Sequence, residues 1–482
     1  MARIEELSRW ITPEDQIDLA QVQAGLPRRA QLMASAAAGG PQARYSLLFA
    51  PATHWLEQSA QGHLCADAET QNRLDCLSDG FFPAMRAFTQ HYQIQSQPAL
   101  TSTTGDALPF NGGVSFYLGF ECAGLLEPTL AQPAFAAGRD VGFPQAAVAY
   151  HPAAIIRDHH AQVDYLVDDG SKLGADCARQ LKAAYLQPVA PSAEFTLIAL
   201  HAPDGALYQN QVQIVRDYLF AGDVFQVNLS HAWQFKVSAA DPGYALYQAL
   251  CARNPAPFAA RYQHPNGEII SSSPERLMCY DRHFAHTRPI AGTRRRGADA
   301  ATDQALINEL RAHPKERAEH IMLIDLERND LGRVCQPGTV EVNELMVVES
   351  YTHVHHLVSN VRGVPRSGID MVDLLGACFP GGTITGCPKV RCLEILAELE
   401  KTGRGPYTGS IGYISNDGFC DSNILIRSLF LDNHGRGEFR TGAGIVVDSQ
   451  PEQELAETWE KARGLLRALG LDDHAIAQLQ AD

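Results

Sequence analysis

Glu316 and Glu319 stand three residues apart in KERAEHIMLIDLERND, and Glu454 and Glu457 repeat that spacing in QPEQELAETWEKAR. Residues at i and i+3 share a helix face, so each pair aims two carboxylates one way. Two such faces opposed across a cleft concentrate hard oxygen ligands. That arrangement suits Mg2+, which takes one or two carboxylates and fills its octahedron with water and substrate oxygens. Taken singly, an ExxE is an ordinary solvated helix face, because surface glutamate is common. Lys461, four residues after Glu457, reads in the same plain terms as a surface ion pair.

Arg427 lies inside the apolar run ILIRSLF. A strand-embedded guanidinium needs a carboxylate partner, either a bidentate substrate carboxylate or a structural salt bridge. Two glycine loops, FPGGTITGCPK over 379–389 and TGAGIV over 441–446, can turn backbone N–H groups toward an anion, and the first opens into a helix. Neither ends as a Walker loop does, and either alone is a tight turn. His356 in VHHLVSN is a proton donor for a leaving hydroxyl or a satisfied core histidine. Glu275 in SSSPERL is an acid/base at a strand end or the salt-bridge partner of Arg276.

The elements that must position these groups alternate between strand and helix in the second half. Pro314 begins a helix expected to end near Gly332, and Pro388 begins another with Val390, Leu393, Leu396 and Leu399 on one stripe. Residues 440–448 read as a glycine-broken strand. Ser449 with Glu452 fits a capping box for the last helix, with Pro451 in its first turn. The break in composition falls at LQPVAPSAE, 186–194, which separates an N-terminal segment, 1–190, from a second segment, 195–475. The class is α/β or α+β.

Composition narrows the function. With 45% hydrophobic and 20% charged residues among 482, the chain can build a large core without disulfides. The formal net charge is −16 and no basic run stands out, which argues against nucleic acid or an anionic membrane as partner. The eleven cysteines show no zinc spacing, as expected of thiols in a reducing cytoplasm. The start, MARIEELSRWITPEDQ, carries no apolar h-region, and no apolar run approaches ~18 residues, so neither a secretory signal nor a membrane span is expected.

Read in order, the segments GDVFQVNLS, SSSPERL, RPIAGTRRRG, KERAEHIMLIDLERNDLGR, HHLVSNVRG, FPGGTITGCPKVRCLEIL, GSIGYIS, CDSNILIRS and TGAGIVVDSQPEQELAETWEKAR resemble the chorismate-utilising enzyme family. The resemblance implies an α+β fold of two packed antiparallel sheets with outer helices and a cleft between them. It implies Mg2+ approached by Glu319 and Glu457, with Glu316 and Glu454 in support. Arg427, Tyr407 and the Gly442, Ala443 and Gly444 backbone would bind substrate carboxylate. His356 would protonate the leaving C4 hydroxyl, Glu275 would serve as acid/base, and Thr383 and Lys461 would lie in the same pocket.

The family's water-adding branches carry a base lysine where this chain has Gln226, which points to an ammonia-using branch. QVNLS, GGTITGCPK, VHHLVS and CDSNILIRS resemble aminodeoxychorismate synthase component I, which aminates C4 on the way to 4-aminobenzoate and folate. Ala291 in PIAGT stands where many of those enzymes have a lysine, as it does in anthranilate synthase component I, the alternative. A non-catalytic chorismate-binding subunit is the third reading, and the retained acids, His356 and Lys461 argue against it. Ser35, Arg44, Tyr45, Pro257 and Phe258 resemble a tryptophan site. With no glutaminase elbow in the sequence, ammonia from glutamine would come from a separate amidotransferase subunit.

Overall fold

In the computed structural model, residues 2–7, 17–37, 42–74, 77, 79–93, 97–130, 142–351 and 354–481 are described. Most of the charged N-terminal stretch, residues 8–16, lies outside them. The strands form two antiparallel sheets, one of 12 strands and one of 11. Side chains from both meet in shared clusters: Tyr262, Ile269 and Phe430 from the first sheet pack with Tyr117 and Ile411 from the second. The sheets are therefore stacked face to face, and their outer faces carry helices. Leu181, Tyr185, Trp459 and Leu465 from helices cover the first sheet around Trp233. Phe88 and Leu375 cover the second around Val114, Phe116 and Leu118. Alternation along Gly113–Leu118 explains the layering, since Tyr117 faces the inner cluster while its neighbours face the helices. The expected fold class is the observed one.

Both sheets draw strands from both sides of the 186–194 break. Ala34 pairs with Ala259 in one sheet, and Leu118 pairs with Ser410 in the other. The break itself is an irregular connection between the helix Lys172–Leu186 and the strand Thr196–His201. AVAYHPAAIIRD is two strands rather than one run: Ala146–His151 belongs to the second sheet and Ala153–Asp158 to the first, with the chain crossing at Pro152.

Three helices matter for function. Pro314–Gly332 spans the expected range. It is fixed by a buried hydrogen bond of 2.7 Å between His320 Nε2 and Ser359 Oγ, and by the 2.6 Å ion pair of Asp330 with Lys389. Lys389–Glu400 buries Leu393, Leu396 and Leu399. Pro451–Ala468 is locked down by Trp459, whose ring meets Trp233 edge-on at 4.7 Å. Its expected capping box does not form. Gln450 is the N-cap and makes no side-chain cap bond, because the Ser449 hydroxyl instead accepts from Val446 N–H at 3.0 Å and closes the preceding turn.

Candidate active site

The strand Gln226–Ser238 and the strand Arg436–Ile445 pair in register, with Asn228 opposite Gly444 and Ser230 opposite Gly442. Side chains alternate across a strand, so Gln226 and Asn228 face the same side as the two glycines. That side is a cavity of about 610 Å3. The helix Pro314–Gly332 contributes Glu316 and Glu319 to its wall, and the helix Pro451–Ala468 contributes Glu454, Glu457, Glu460 and Lys461. Glu275, His356, Thr383, Tyr407 and Arg427 complete it, with Ala291 and Thr293 at one edge. Ten loops and elements distant in sequence thus line one cavity.

Glu275 is the deepest acid. Its side chain is buried, and Oε1 finds no hydrogen-bond partner; the same is true of the Thr383 hydroxyl beside it. Burial pushes the Glu275 carboxyl up to about 7, against the pull of Thr383, Arg427 and Lys461. Arg276 does not pair with it: that guanidinium is held by Asp421 at 2.8 Å.

Arg427 is not strand-embedded. It sits between the strands Cys420–Asn423 and Ser428–Asp432 with φ of 50°, a left-handed kink that turns the side chain out of the ladder and into the cavity. Among the described residues it makes one long hydrogen bond, 3.4 Å from Nη1 to Asn254 Oδ1, and no carboxylate is salt-bridged to it. Burial lowers its basicity and Glu275 partly restores it. A guanidinium so placed is suited to an anionic ligand.

His356 is buried, and burial together with Arg427 lowers it to about 3, so the ring is neutral near pH 7. Lys461 donates to Gly442 O at 2.9 Å and pairs with Glu457 at 2.8 Å, the expected i,i+4 contact, with both side chains about half exposed (43% and 50%). Glu316 is bonded by Arg294 at 3.1 Å. Among the described residues no group of three or more His, Cys, Asp or Glu side chains converges as a ready-made metal site. The four glutamates still fit Mg2+ bound largely by water and substrate oxygens, since one or two carboxylates suffice.

Below Tyr407, a buried charge network fixes the floor. Glu400 accepts from Arg404 at 2.7 Å, Arg440 at 3.0 Å and Ser230 at 2.9 Å. Burial pulls its carboxyl upward, but the two arginines outweigh it and hold it below the usual value.

Residues 47–467 match the chorismate binding enzyme family. The chain belongs to that family. An anthranilate synthase component I-like protein of Synechocystis is 43% identical over 77% of this chain and 75% of its own length. Aminodeoxychorismate synthase component 1 of Bacillus subtilis is 45% identical over 61% of this chain and 62% of its own length. The crystal structure of anthranilate synthase component I from Streptococcus pneumoniae superposes with a TM-score of 0.72 at 29% identity, covering 87% of this chain and 92% of that one. The chain is a chorismate-utilising enzyme.

In this chorismate-utilising chain the cavity gathers all the expected site residues but one. Ala443 faces away: its methyl is fully buried in the apolar cluster behind the strand, because it alternates with Gly442 and Gly444. Asn228, Arg440, Thr293 and Glu460 line the cavity without having been singled out. Asn228 is legible from alternation with Gln226, Arg440 from alternation with Gly442 and Gly444, and Glu460 from its i+3 spacing to Glu457; Thr293 carries no such signal. A second cavity of about 240 Å3, between the sheets, is lined by Arg44, Tyr45, Pro257 and Phe258. Ser35 is not part of that lining; its N–H donates to Ser46 Oγ at 3.0 Å. No helix among the described residues is long and apolar enough to cross a membrane.

Proposed function

We propose that this chain is the chorismate-aminating component of an aminodeoxychorismate synthase. Chorismate and ammonia would give 4-amino-4-deoxychorismate and water. The observation that carries the reading is Glu275: a buried carboxyl raised to about 7, with an unpartnered oxygen, sharing one cavity with Arg427 and His356. A general acid/base works best when its pKa lies near the operating pH.

Arg427, Tyr407 and the cavity-lining backbone at Gly442 and Gly444 hold the substrate carboxylates. His356 delivers a proton to the departing C4 hydroxyl, and the two negative charges of bound chorismate favour its protonation. Glu275 takes a proton from the incoming ammonia, with Thr383 beside it. Lys461 orients the mouth through Gly442 O and Glu457. Mg2+, held by Glu319 and Glu457 with Glu316 and Glu454 near, would stabilise the charge that develops as the hydroxyl leaves. Gln226 lines the wall where a water-adding relative would need a base, and an amide cannot deprotonate water. That favours ammonia as the nucleophile, supplied in the cell by a separate glutamine amidotransferase. Ala291 cannot form a covalent adduct with the ring, so ammonia adds directly. Arg44, Tyr45, Pro257 and Phe258 would hold tryptophan in the second cavity.

The second reading is amination at C2, anthranilate synthase, favoured by Ala291 and by the names of the relatives. Incubating the chain with chorismate, Mg2+ and ammonium decides. Aminodeoxychorismate, converted to 4-aminobenzoate only when a lyase is added, is expected. Fluorescent 2-aminobenzoate with free pyruvate would establish the second reading, and glutamine-dependent turnover by the isolated chain would refute the need for a partner.

A further inference from the structure

Two adjacent histidines, His355 and His356, lie on the strand Val354–Gly363, and their surroundings differ sharply. His355 is fully engaged: Nδ1 bonds Ser350 Oγ at 2.7 Å and Nε2 bonds Asp303 Oδ1 at 2.9 Å. His356, facing the other way, has one partner. Thr293 Oγ1 lies 2.9 Å from its Nδ1, and among the described residues no hydrogen bond is made at Nε2. Thr293 and His356 are directly opposed in the pairing of the strand Ile290–Arg295 with Val354–Gly363.

That opposition depends on an irregularity. The register shifts between Ile290 and Thr293, and Gly292 within the bulge has φ of 78°. An extra residue at this point re-aims the side chains that follow it. Gly292 is also needed for space, since a Cβ there would fall 2.7 Å from Glu316 Oε2 and 2.9 Å from Leu310 Cδ1. The bulge therefore swings the Thr293 hydroxyl onto His356 while letting the Glu316 carboxylate close up behind it.

We propose that Thr293 is a positioning residue for the His356 proton donor, setting the ring's orientation and keeping its transferable proton on Nε2, the nitrogen without a protein partner. This rests on the reaction proposed above. A hydroxyl is the fitting partner because it works in both states. Donating to Nδ1 of the neutral ring, it leaves the proton on Nε2. By rotating, it accepts from Nδ1–H when the ring is charged. The other groups acting on the ring are Arg427, the neighbouring His355 and the Tyr351 ring at 5.8 Å, whose hydroxyl is taken up by Glu349. None of them offers Nδ1 a hydrogen bond.

Thr293→Val and Thr293→Ser test the proposal on the full chain. In the substrate-free protein, 15N spectra of the imidazoles should show His356 as the Nε2–H tautomer in the parent and in the serine variant, and a mixture in the valine variant. In turnover, valine should lower kcat about tenfold with KM for chorismate little changed, less than the ~10²–10⁴-fold cost of losing a positioned proton donor outright, and serine should restore it. A parent His356 protonated at Nδ1, or a valine variant with the parent's tautomer and kcat, would overturn it. If the parent protein does not turn over chorismate, the reaction reading fails, while the spectra still decide the role of Thr293.

Discussion

The side-chain amide of Gln226 lies directly on the Cα of Gly444: a Cβ at that glycine would stand 2.5 Å from Gln226 Nε2. Gln226 is almost fully buried, and its Oε1 has no hydrogen-bond partner, so the amide is held by packing on one side and faces the cavity on the other. The glycine of TGAG and the glutamine of QVNLS are one device.

Gly444→Ala should therefore act on Gln226 before it acts on the fold. Displacing a side chain that lines the site by about 1 Å can cost on the order of 10²-fold in rate. We expect kcat/KM to fall by roughly ten- to a hundred-fold, with a stability loss of about 1–3 kcal/mol from overpacking. Gly442→Ala is the harsher change, because its Cβ would meet Leu229 O, a backbone atom, at 2.4 Å. Steady-state kinetics and thermal melts check both. An alanine at 444 with parental kinetics would show that the Gln226 contact is unimportant.

Burial of Glu275 makes stability and activity respond oppositely to pH. The folded carboxyl titrates at about 7 rather than 4.5. Between those values the unfolded chain has lost the proton and the folded chain keeps it, so stability falls as pH rises through that window and levels off above it. The shift corresponds to about 3 kcal/mol. Glu275→Gln should remove this pH-dependent loss and melt higher than the parent at pH 8, while abolishing the rise in amination rate through pH 7 at fixed free ammonia. A variant that retains that kinetic limb would exclude Glu275 as the base.

Glu457 is half exposed and paired only with Lys461, so its loss is cheap for the fold. Exposed pairs of this kind contribute about 0–1 kcal/mol. Glu457→Gln should melt within about 1 kcal/mol of the parent yet bind Mg2+ more weakly in the presence of chorismate by calorimetry, and lose turnover. Full activity after exhaustive chelation would remove the metal from the reading.

Local signals carried much of the site. Glu316 and Glu319, and Glu454 and Glu457, were legible because helical periodicity puts i and i+3 on one face whatever lies opposite. Proline marked the start of the helix at 314 to the residue, while the helix at 451 begins one residue later than a Ser449 cap implies. The ordered motifs of the second half also implied the two-sheet fold, since a family resemblance carries topology that periodicity cannot.

Only the tertiary structure decided the rest. The Pro152 crossing between sheets and the pairing of Ala34 with Ala259 join residues far apart in sequence, through backbone hydrogen bonds that no side-chain pattern specifies. Arg427 looked like a residue inside a strand; its positive φ, which no sequence rule announces for arginine, turns it into the cavity. The weakened acidity of Glu275 arises from burial assembled by several elements at once. Thr293 reached His356 through a bulge whose register depends on both strands. The sequence by itself determined which groups were available and which faces of each helix they share. Their desolvation, and the partners they meet across the cavity, depend on long-range packing.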